Sequence, residues 1–262
     1  MTDATIELEA LALAAEHRGR TRFAPLPRHR LGDLAFAYAV QDRLIQLRQA
    51  DGAGAVAGWK IGFTTAPMQA LAGIGEPAAG AMLTSGLRSS GAELPRGDFT
   101  HLGLEGEIAV RVSHAFPETD PIPSDQVLAR LDGVAAALEV TDDRNADWSL
   151  IEAASLIRDN IWNIGAVIGP VSPAAAIGVL SGRKGVLSID GAVREEGMSQ
   201  DIGCDPLEII AWLGAHLARR GQPLRPGQWI MTGSFVSTTF PEPGARYRFA
   251  VEGLEPVEAT IV

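Results

Sequence analysis

The stretch Leu104-Glu-Gly-Glu-Ile-Ala-Val-Arg-Val112 places two glutamates, one residue apart, in an otherwise apolar run. Alternate side chains of a β-strand project from opposite faces, so Glu105 and Glu107 would share one face while the apolar residues pack on the other. A third glutamate, Glu139, lies in the apolar run Ala135-Ala-Ala-Leu-Glu-Val140 and would join them if that run is a neighbouring strand. Buried carboxylates at one point need a cation, so the pattern predicts a metal site.

The chemistry of these side chains indicates which ion they would hold. Carboxylate oxygens, with no His or Cys at metal-ligand spacing, favour a hard ion such as Mg²⁺ or Mn²⁺ over zinc. The alternative is that Glu105 and Glu107 line the solvated face of an amphipathic antiparallel strand. Glu139 repeats the anomaly in a second apolar run, which favours the metal site.

Length and charge limit the classes of partner. The 262 residues are enough to bury a sizeable core in one large domain or in a main domain with a small lobe. The net charge of −10 would repel a polyphosphate backbone and an anionic membrane, so neither nucleic acid nor a membrane is expected as a partner. A small anionic substrate stays compatible with this charge, because a bound metal reverses the local potential.

Cysteine usage and the N-terminus bear on the compartment. Cys204 is the only cysteine, which excludes an intrachain disulfide and fits a reducing environment. The N-terminal residues are acidic where a signal peptide is basic, and no apolar run approaches the roughly 20 residues of a membrane span. We therefore expect a cytoplasmic protein.

The succession of elements predicts an α+β protein. Residues 1–56 have helical periodicity, with Asp33 as an N-cap and a stop near Gly52, and we expect a small helical lobe there. Strand-like runs punctuated by Gly and Pro then dominate, beginning with residues 57–63. Because strands outnumber helices and do not alternate with them, an α+β domain is expected rather than a doubly wound sheet.

Three local signals predict individual elements. Ser149-Leu-Ile-Glu152 matches a capping box, which would begin a helix running to about Arg158. Asp190-Gly191, between short apolar runs, predicts a hairpin turn. Asp205-Pro206 would begin the clearest helix, which has one apolar stripe and Gly221 just past its end.

Lys60 is the second anomaly, an ammonium group between bulky apolar residues and glycines in Gly58-Trp-Lys-Ile-Gly-Phe63. Desolvation would lower its pKa and nearby carboxylates would raise it, so its charge state depends on its neighbours. Lys60 is either an active-site residue that moves a proton or holds a substrate carboxylate, or a surface lysine whose ammonium group reaches solvent.

Several motifs follow one another in order along the chain: Gly58-Trp-Lys-Ile-Gly-Phe-Thr64, Leu104-Glu-Gly-Glu-Ile-Ala109, Ala137-Leu-Glu-Val-Thr-Asp-Asp-Arg144 with Asp147-Trp148, Asp159-Asn160, Ile210-Ala-Trp-Leu213, and the stretch from Gly221 to Ser234. Together they resemble the 2-keto-4-pentenoate hydratase/4-oxalocrotonate decarboxylase family. The likeness runs over nearly the whole chain, and a set of ordered motifs is far more specific than any one of them.

That family has the fumarylacetoacetate hydrolase fold. The resemblance therefore implies a mixed β-roll with flanking helices as the catalytic domain, at residues 57–262 after the helical lobe, and a homo-oligomer. It also implies that Glu105, Glu107 and Glu139 bind Mg²⁺ or Mn²⁺ and that Lys60 is catalytic. The strand geometry independently predicts the same ion.

Two departures from the family pattern concern the substrate site. Pro77-Ala-Ala-Gly80 stands where hydratases of the family usually carry Pro-Asp-Phe/Tyr-Gly, so Ala78 occupies the place of an acid/base Asp. Asp159-Asn-Ile-Trp-Asn163 stands where the family has Asp-Asn-Ala-Ser-Ser, which predicts a reshaped pocket. The candidate substrate-binding residues are Arg144, Asp159, Asn160, Trp162 and Ser234, with Arg144, Arg158 and Trp162 as candidates for reading the tail.

The resemblance implies a lyase for a small 2-oxo or 2-hydroxydienoic acid. The first expectation is a hydratase of aromatic or related catabolism, which adds water at C4 of a 2-hydroxy-2,4-dienoate to give a 4-hydroxy-2-oxo acid. A 4-oxalocrotonate-type decarboxylase is the main alternative. It needs no added water, so the absence of an acid/base Asp at position 78 would impair it less than a hydratase. A carbon–carbon hydrolase, which would need a histidine-activated water, and a metal-stabilised scaffold without activity are the others.

Overall fold

A computed structural model describes residues 3–30 and 32–262. The described residues form seven α-helices and thirteen β-strands. The helices are α1 (Asp3–Gly19), α2 (Leu34–Arg48), α3 (Ala66–Ala72), α4 (Ser124–Leu128), α5 (Ala153–Arg158), α6 (Ala174–Ile177) and α7 (Pro206–Arg219). The strands are β1 (Val56–Gly62), β2 (Ala78–Leu83), β3 (Leu87–Ser89), β4 (Ala92–Leu94), β5 (Leu102–Val112), β6 (Leu131–Asp142), β7 (Asn163–Ile168), β8 (Ser172–Pro173), β9 (Lys184–Ile189), β10 (Ala192–Met198), β11 (Trp229–Ser234), β12 (Arg246–Val251) and β13 (Val257–Ile261).

The described strands lie in two mixed sheets. The larger has eight strands in the order β2-β1-β11-β5-β6-β7-β3, with β8 paired to β6. The smaller has five, in the order β10-β9-β12-β13-β4. β1 runs parallel to β11, whereas β5 and β6 are antiparallel along their length. Sheets of mixed direction, with helices that do not alternate with strands, confirm the predicted α+β class.

The core lies against one face of the β5–β6 pair. Ile108 and Val110 on this face pack in a cluster with Phe249 of the smaller sheet. Phe249 approaches β5 so closely that a Cβ on Gly106 would lie 2.6 Å from its ring. The position between the two glutamates therefore requires glycine, because the second sheet packs against β5 at this point. The two glutamates lie on the opposite face of the strand.

The N-terminal helices pack together with α5. Leu13 of α1, Phe36 of α2 and Ile157 of α5 are buried in one apolar cluster. Asp33 begins α2 as predicted, because its carboxylate accepts a hydrogen bond from the Phe36 backbone N–H at 3.0 Å. The division of the chain at residues 56 and 57 stays a prediction, and residues 1, 2 and 31 of the expected lobe lie outside the described residues.

The capping box predicted at residues 149–152 is wrong. A 3₁₀ turn covers Trp148–Leu150, and the Asp147 carboxylate accepts the Ser149 backbone N–H at 3.0 Å. Glu152 has an extended backbone and is itself the N-cap of α5, accepting the Ser155 backbone N–H at 2.7 Å. Glu152, which was expected at the N3 position of the helix, is thus the N-cap of a helix that begins later. Its extended backbone places it before the first helical residue.

The hairpin and the clearest helix are confirmed. Asp190 and Gly191, both with positive φ, form the turn between β9 and β10. Asp205 caps α7 through the Leu207 backbone N–H at 2.7 Å, with Pro206 at the first helical position. Among residues 3–30 and 32–262, no helix combines the length and the apolar character needed to cross a bilayer.

Candidate active site

The β5–β6 pair brings the three glutamates together. Glu105 lies opposite Glu139 in the register of the pair, and Glu107 follows on the same face of β5. A carboxylate oxygen from each side chain lies within 4.8 Å of those from the other two. Glu107 and Glu139 are only 1% and 0% exposed, which excludes a solvated strand face for these two side chains.

Protein contacts orient the two buried carboxylates. Glu107 Oε2 accepts a hydrogen bond from the Gly233 backbone N–H at 2.8 Å, and Glu139 Oε1 accepts one from Asn163 Nδ2 at 2.9 Å. Gly233 lies where the pairing of β11 with β5 is irregular, and its φ of 109° favours glycine. A Cβ at this position would come within 2.9 Å of Thr64, so the bulge that aims this amide at Glu107 requires glycine.

The other oxygen of each buried carboxylate has no partner. Glu107 Oε1 and Glu139 Oε2 are both buried and form no hydrogen bond with any described residue. Glu105, which is half-buried, receives a hydrogen bond from the Thr238 hydroxyl at 2.5 Å through Oε1. Unpaired buried carboxylate oxygens are unfavourable, and an oxygen-only donor set is what hard dications prefer. These residues therefore fit a divalent metal ion.

Electrostatics in the protein alone disfavour charge on these carboxylates. Burial raises the pKa of Glu107 well above its usual range, and the charges of Glu139 and Glu105 raise it further. Burial likewise raises the pKa of Glu139, although Lys60 opposes this effect. A dication among the three side chains would reverse both trends by favouring the ionised carboxylates.

Lys60 of β1 lies beside the glutamates. Its Nζ is 3.3 Å from Glu139 Oε1, and the residue is 5% exposed, which excludes a lysine whose ammonium group reaches solvent. Burial would lower the pKa of Lys60, but the charges of Glu139, Glu105 and Glu107 outweigh it and raise the pKa. In the protein alone, these carboxylates favour the protonated form of Lys60.

A cavity of about 210 Å³ opens at this group of residues. Lys60, Glu105 and Ser234 lie in its lining, so a small molecule in the cavity can reach the charged side chains of Lys60 and Glu105. Much of the remaining wall is apolar or aromatic. The apolar residues of the lining are Ile61, Phe63, Met68, Trp148, Ile151, Leu156, Ile161, Trp162 and Phe240.

A larger cavity of about 470 Å³ lies elsewhere and contains none of the glutamates. It includes Trp59, whose side chain projects from the face of β1 opposite to Lys60. Because Lys60 and Glu105 line the smaller cavity and belong to the group of convergent charged residues, this cavity is the candidate active site.

Comparison with known proteins decides the family. The family model for the fumarylacetoacetate (FAA) hydrolase C-terminal region matches residues 66–262. The chain is also 30% identical to 2-keto-4-pentenoate hydratase of Paraburkholderia phymatum, over 98% of each chain. The chain belongs to the fumarylacetoacetate hydrolase family. Within that family it falls in the 2-keto-4-pentenoate hydratase/4-oxalocrotonate decarboxylase group, as the ordered motifs predicted.

Two further comparisons support this placement. The chain is 28% identical to a 4-oxalocrotonate decarboxylase of Pseudomonas sp over 83% of each chain. Its fold matches that of 4-oxalocrotonate decarboxylase from Pseudomonas putida G7, solved with magnesium and adipate, with a TM-score of 0.88 and 23% identity over 100% of this chain and 99% of the other. The predicted fold, a mixed β-roll with flanking helices, is confirmed. The relatives also confirm the predicted enzyme class, a lyase of the hydratase or decarboxylase type.

One departure from the family pattern is visible in the structure. Ala78 begins β2 opposite Gly62 and is fully buried in the apolar cluster of the N-terminal helices. No carboxyl group is therefore available at the position of the family's acid/base Asp.

Arg144 and Asp159 lie outside the lining of the cavity. Arg144 is buried and pairs with Asp159 Oδ2 at 2.6 Å and with Glu16 of α1 at 3.0 Å. Asp159 Oδ1 also lies 2.5 Å from His17 Nε2. The two residues thus connect α1 to α5 in an ionic network, and the structure does not bring them to the carboxylates.

Asn160 has a contact set of its own. Its side chain accepts the Ala81 backbone N–H at 2.7 Å and donates to the Ala81 carbonyl at 2.8 Å. These bonds attach the turn after α5 to β2 and leave the side chain outside the cavity lining. Of the predicted substrate-binding residues, only Trp162 and Ser234 line the cavity.

Sequence reasoning missed the residues that orient the carboxylates. Asn163 was noted as a departure from the family pattern, but only the register of β6 with β7 shows that it reaches Glu139. Thr238 follows β11 in a loop and carries no sequence signal. Asp143 stabilises a turn, since its carboxylate accepts the Asn145 backbone N–H at 2.9 Å. It also lines the cavity.

Proposed function

We propose that this protein is a divalent-metal-dependent hydratase of the 2-keto-4-pentenoate type. It would add water to a 2-hydroxy-2,4-dienoate and give a 4-hydroxy-2-oxo acid. The observation that carries this proposal is the convergence of three glutamates and Lys60 beside a cavity that Lys60 and Glu105 line and whose remaining wall is largely apolar. The full-length similarity to a 2-keto-4-pentenoate hydratase supports the same assignment.

Glu105, Glu107 and Glu139 would hold the ion, with Mg²⁺ or Mn²⁺ expected from their oxygen donors. When bound, such an ion supplies a positive centre for the carboxylate and 2-oxygen of the substrate and withdraws electrons from the carbonyl group. Glu107 and Glu139 are pre-oriented for this task by Gly233 and Asn163. These two hydrogen bonds would restrict the ligands before the ion binds.

Lys60 is the residue that would hold or move a proton. Ketonisation of the dienoate removes a proton from the 2-hydroxyl and adds one at C5, and water then adds its oxygen at C4 and a proton at C3. The Lys60 ammonium, 3.3 Å from Glu139, stands where it can stabilise negative charge on the substrate or exchange this proton.

One observation favours decarboxylation as the second candidate. Ala78 leaves no carboxyl group at the family's acid/base position, and loss of carbon dioxide from a distal carboxylate needs no activated water. The same group of glutamates would accept the ion that withdraws the electrons released by the departing carboxylate.

Turnover with product analysis separates these candidates. Purified protein with Mg²⁺ should deplete the ultraviolet absorbance of a 2-hydroxy-2,4-dienoate, and mass spectrometry should show the gain of one water. Glu107→Gln should lose this activity, whereas Glu93→Gln, an exposed glutamate on β4, should retain it. A product lacking carbon dioxide would support the decarboxylase instead. Wild type as inert as Glu107→Gln on dienoates, acylpyruvates and diacids would contradict both.

A further inference from the structure

One part of the wall of the active-site cavity is apolar and fixed in place. Trp162 lies with its ring centroid 5.3 Å from Phe23 in an edge-to-face contact and 5.4 Å from Trp148. Ile151 and Leu156 complete this wall. Such aromatic contacts hold a side chain in one orientation, so the wall presents a defined apolar surface to whatever extends from the metal-binding end.

This wall offers no positive charge. Among the residues that line the cavity, all of them described, Lys60 is the one cation, and it lies at the glutamate end beside Glu139. Arg144 is engaged with Asp159 and Glu16, and neither it nor Arg158 belongs to the lining.

A negative charge lies in the wall instead. Asp143 is 2% exposed and lines the cavity. Its carboxylate accepts the Trp148 indole N–H at 2.8 Å and lies 2.6 Å from His101 Nδ1, so these contacts hold it in the cavity lining. The Trp162 indole N–H is buried without a partner among the described residues, but one neutral donor does not offset the desolvation of a carboxylate.

From this wall we propose that the site selects acids with a single carboxylate and an apolar alkyl or aryl tail, and rejects those with a second carboxylate at the far end. This inference rests on the proposed function, because it assumes that the 2-oxo acid end binds at the glutamates and Lys60. Trp162 and Ile151 are then specificity-determining residues. A distal carboxylate would lose its hydration, find no lysine or arginine in the lining beyond Lys60, and share the cavity with the Asp143 carboxylate.

Binding of two matched ligands to the Mg²⁺-loaded protein tests this proposal without turnover. 2-Oxohexanoate and 2-oxohexanedioate have the same carbon chain and differ only at the far end. Titration followed by tryptophan fluorescence and by calorimetry should give an affinity at least tenfold higher for 2-oxohexanoate. Equal affinities, or tighter binding of the diacid, would overturn the inference and leave the proposed function standing. If neither acid binds, the proposed function fails together with the inference.

Matched arginine substitutions test the role of the wall itself. Ile151→Arg should strengthen binding of 2-oxohexanedioate relative to 2-oxohexanoate by at least tenfold, because it supplies the missing cation. Leu150→Arg, at an exposed neighbour outside the cavity lining, should leave the ratio unchanged. Phe240→Arg, at an exposed position of the cavity, replaces Ile151→Arg if circular dichroism shows that the latter is unfolded. A folded variant with the wild-type ratio would overturn the assignment of the wall as the tail-reading surface.

Discussion

At the scale of single residues, the decisive feature is a pair of buried carboxylate oxygens that have no hydrogen-bond donor among the described residues. Glu107 Oε1 and Glu139 Oε2 lack partners among the described residues, although the protein provides a donor for the other oxygen of each. Burial of an unpaired carboxylate oxygen is unfavourable, and a cation bound between the two side chains would remove that cost. The unpaired oxygens are therefore the strongest structural support for a metal site.

Asn163 provides a test of this orientation. Asn163→Ala removes the 2.9 Å hydrogen bond to Glu139 without removing a metal ligand, so we expect metal affinity to fall by about 10- to 100-fold. Isothermal titration with Mn²⁺ measures the affinity. Gln126→Ala, which removes an exposed amide on α4, should bind Mn²⁺ like wild type. Unchanged affinity in Asn163→Ala would show that Glu139 needs no orientation.

Charged residues in apolar runs were predictable from sequence, and their polar neighbours were not. Glu105, Glu107, Glu139 and Lys60 are anomalies that any apolar pattern makes visible, and the structure brings all four together. Arg144 lies only a few residues beyond Glu139, yet it turns away to α1. Sequence proximity does not predict this, because φ is positive at Arg144 and the chain changes direction there.

At the scale of elements, the bulge in β11 positions the site as much as the long β5–β6 pair does. Gly233→Ala would place a side chain at a φ of 109° and against Thr64, so we expect a loss of about 1–3 kcal/mol in the free energy of unfolding. The displaced amide would also release Glu107 and weaken Mn²⁺ binding. Denaturant unfolding and metal titration measure the two effects.

Gly244→Ala is the matched control for this substitution. Gly244 also has a positive φ, of 87°, but a Cβ there meets nothing within 4 Å. Gly244→Ala should therefore lose stability through backbone strain while Mn²⁺ affinity stays at the wild-type value. If Gly233→Ala also keeps that affinity, the bulge does not orient Glu107.

His216 of helix α7 should make the stability of the protein depend on pH. Burial, together with the charges of Arg220 and Arg219, lowers the pKa of His216 to about 4. Between about pH 4 and 6.5 the folded protein then binds fewer protons than the unfolded chain. The free energy of unfolding is therefore highest above pH 6.5, and it falls as pH drops towards 4. The decrease due to His216 is about 3 kcal/mol over this range.

His216→Gln should remove this component. Unfolding free energies measured by denaturant at intervals from pH 4 to 7 should show a flatter profile for the variant than for wild type. Parallel profiles for the two proteins would mean that His216 does not titrate in this range.

The elements show why local signals were only partly sufficient. Asp33, Asp205 and the Asp190-Gly191 turn depend on backbone within a few residues, and the structure confirms them. The residues at 149–152 match a capping box equally well, but the preceding 3₁₀ turn moves the start of α5 to Ala153. Competing local hydrogen bonds of Asp147 and Glu152 decided the outcome, and the pattern alone does not rank them.

At the scale of the whole molecule, a buried ionic network connects the N-terminal helices to the remainder. Arg144→Met would leave Asp159 buried with one partner fewer, so we expect a loss of about 3–5 kcal/mol in stability. Arg111→Met, which breaks an exposed pair with Asp132, should lose only about 0–1 kcal/mol. Comparable losses in the two variants, measured by denaturant unfolding, would show that the network does not stabilise the contact between α1 and α5.

Other molecule-scale predictions await measurement. We propose a homo-oligomer and a cytoplasmic location, and we keep the division of the chain after residue 56 as a proposal. Light scattering of the purified protein measures the oligomeric state, and limited proteolysis with mass spectrometry would locate a boundary between lobes. The acidic composition, with a net charge of −10, makes local reversal of charge at the glutamates all the more necessary for an anionic substrate.

Binding of Mn²⁺, followed by calorimetry and by electron paramagnetic resonance, tests the central claim most directly. We expect one Mn²⁺ per chain in wild type, an altered resonance when 2-oxohexanoate is added, and loss of binding in both Glu107→Gln and Glu139→Gln with the fold intact by circular dichroism. Wild type that binds no Mn²⁺, or variants that bind it as tightly as wild type, would contradict a metal centre built from Glu105, Glu107 and Glu139.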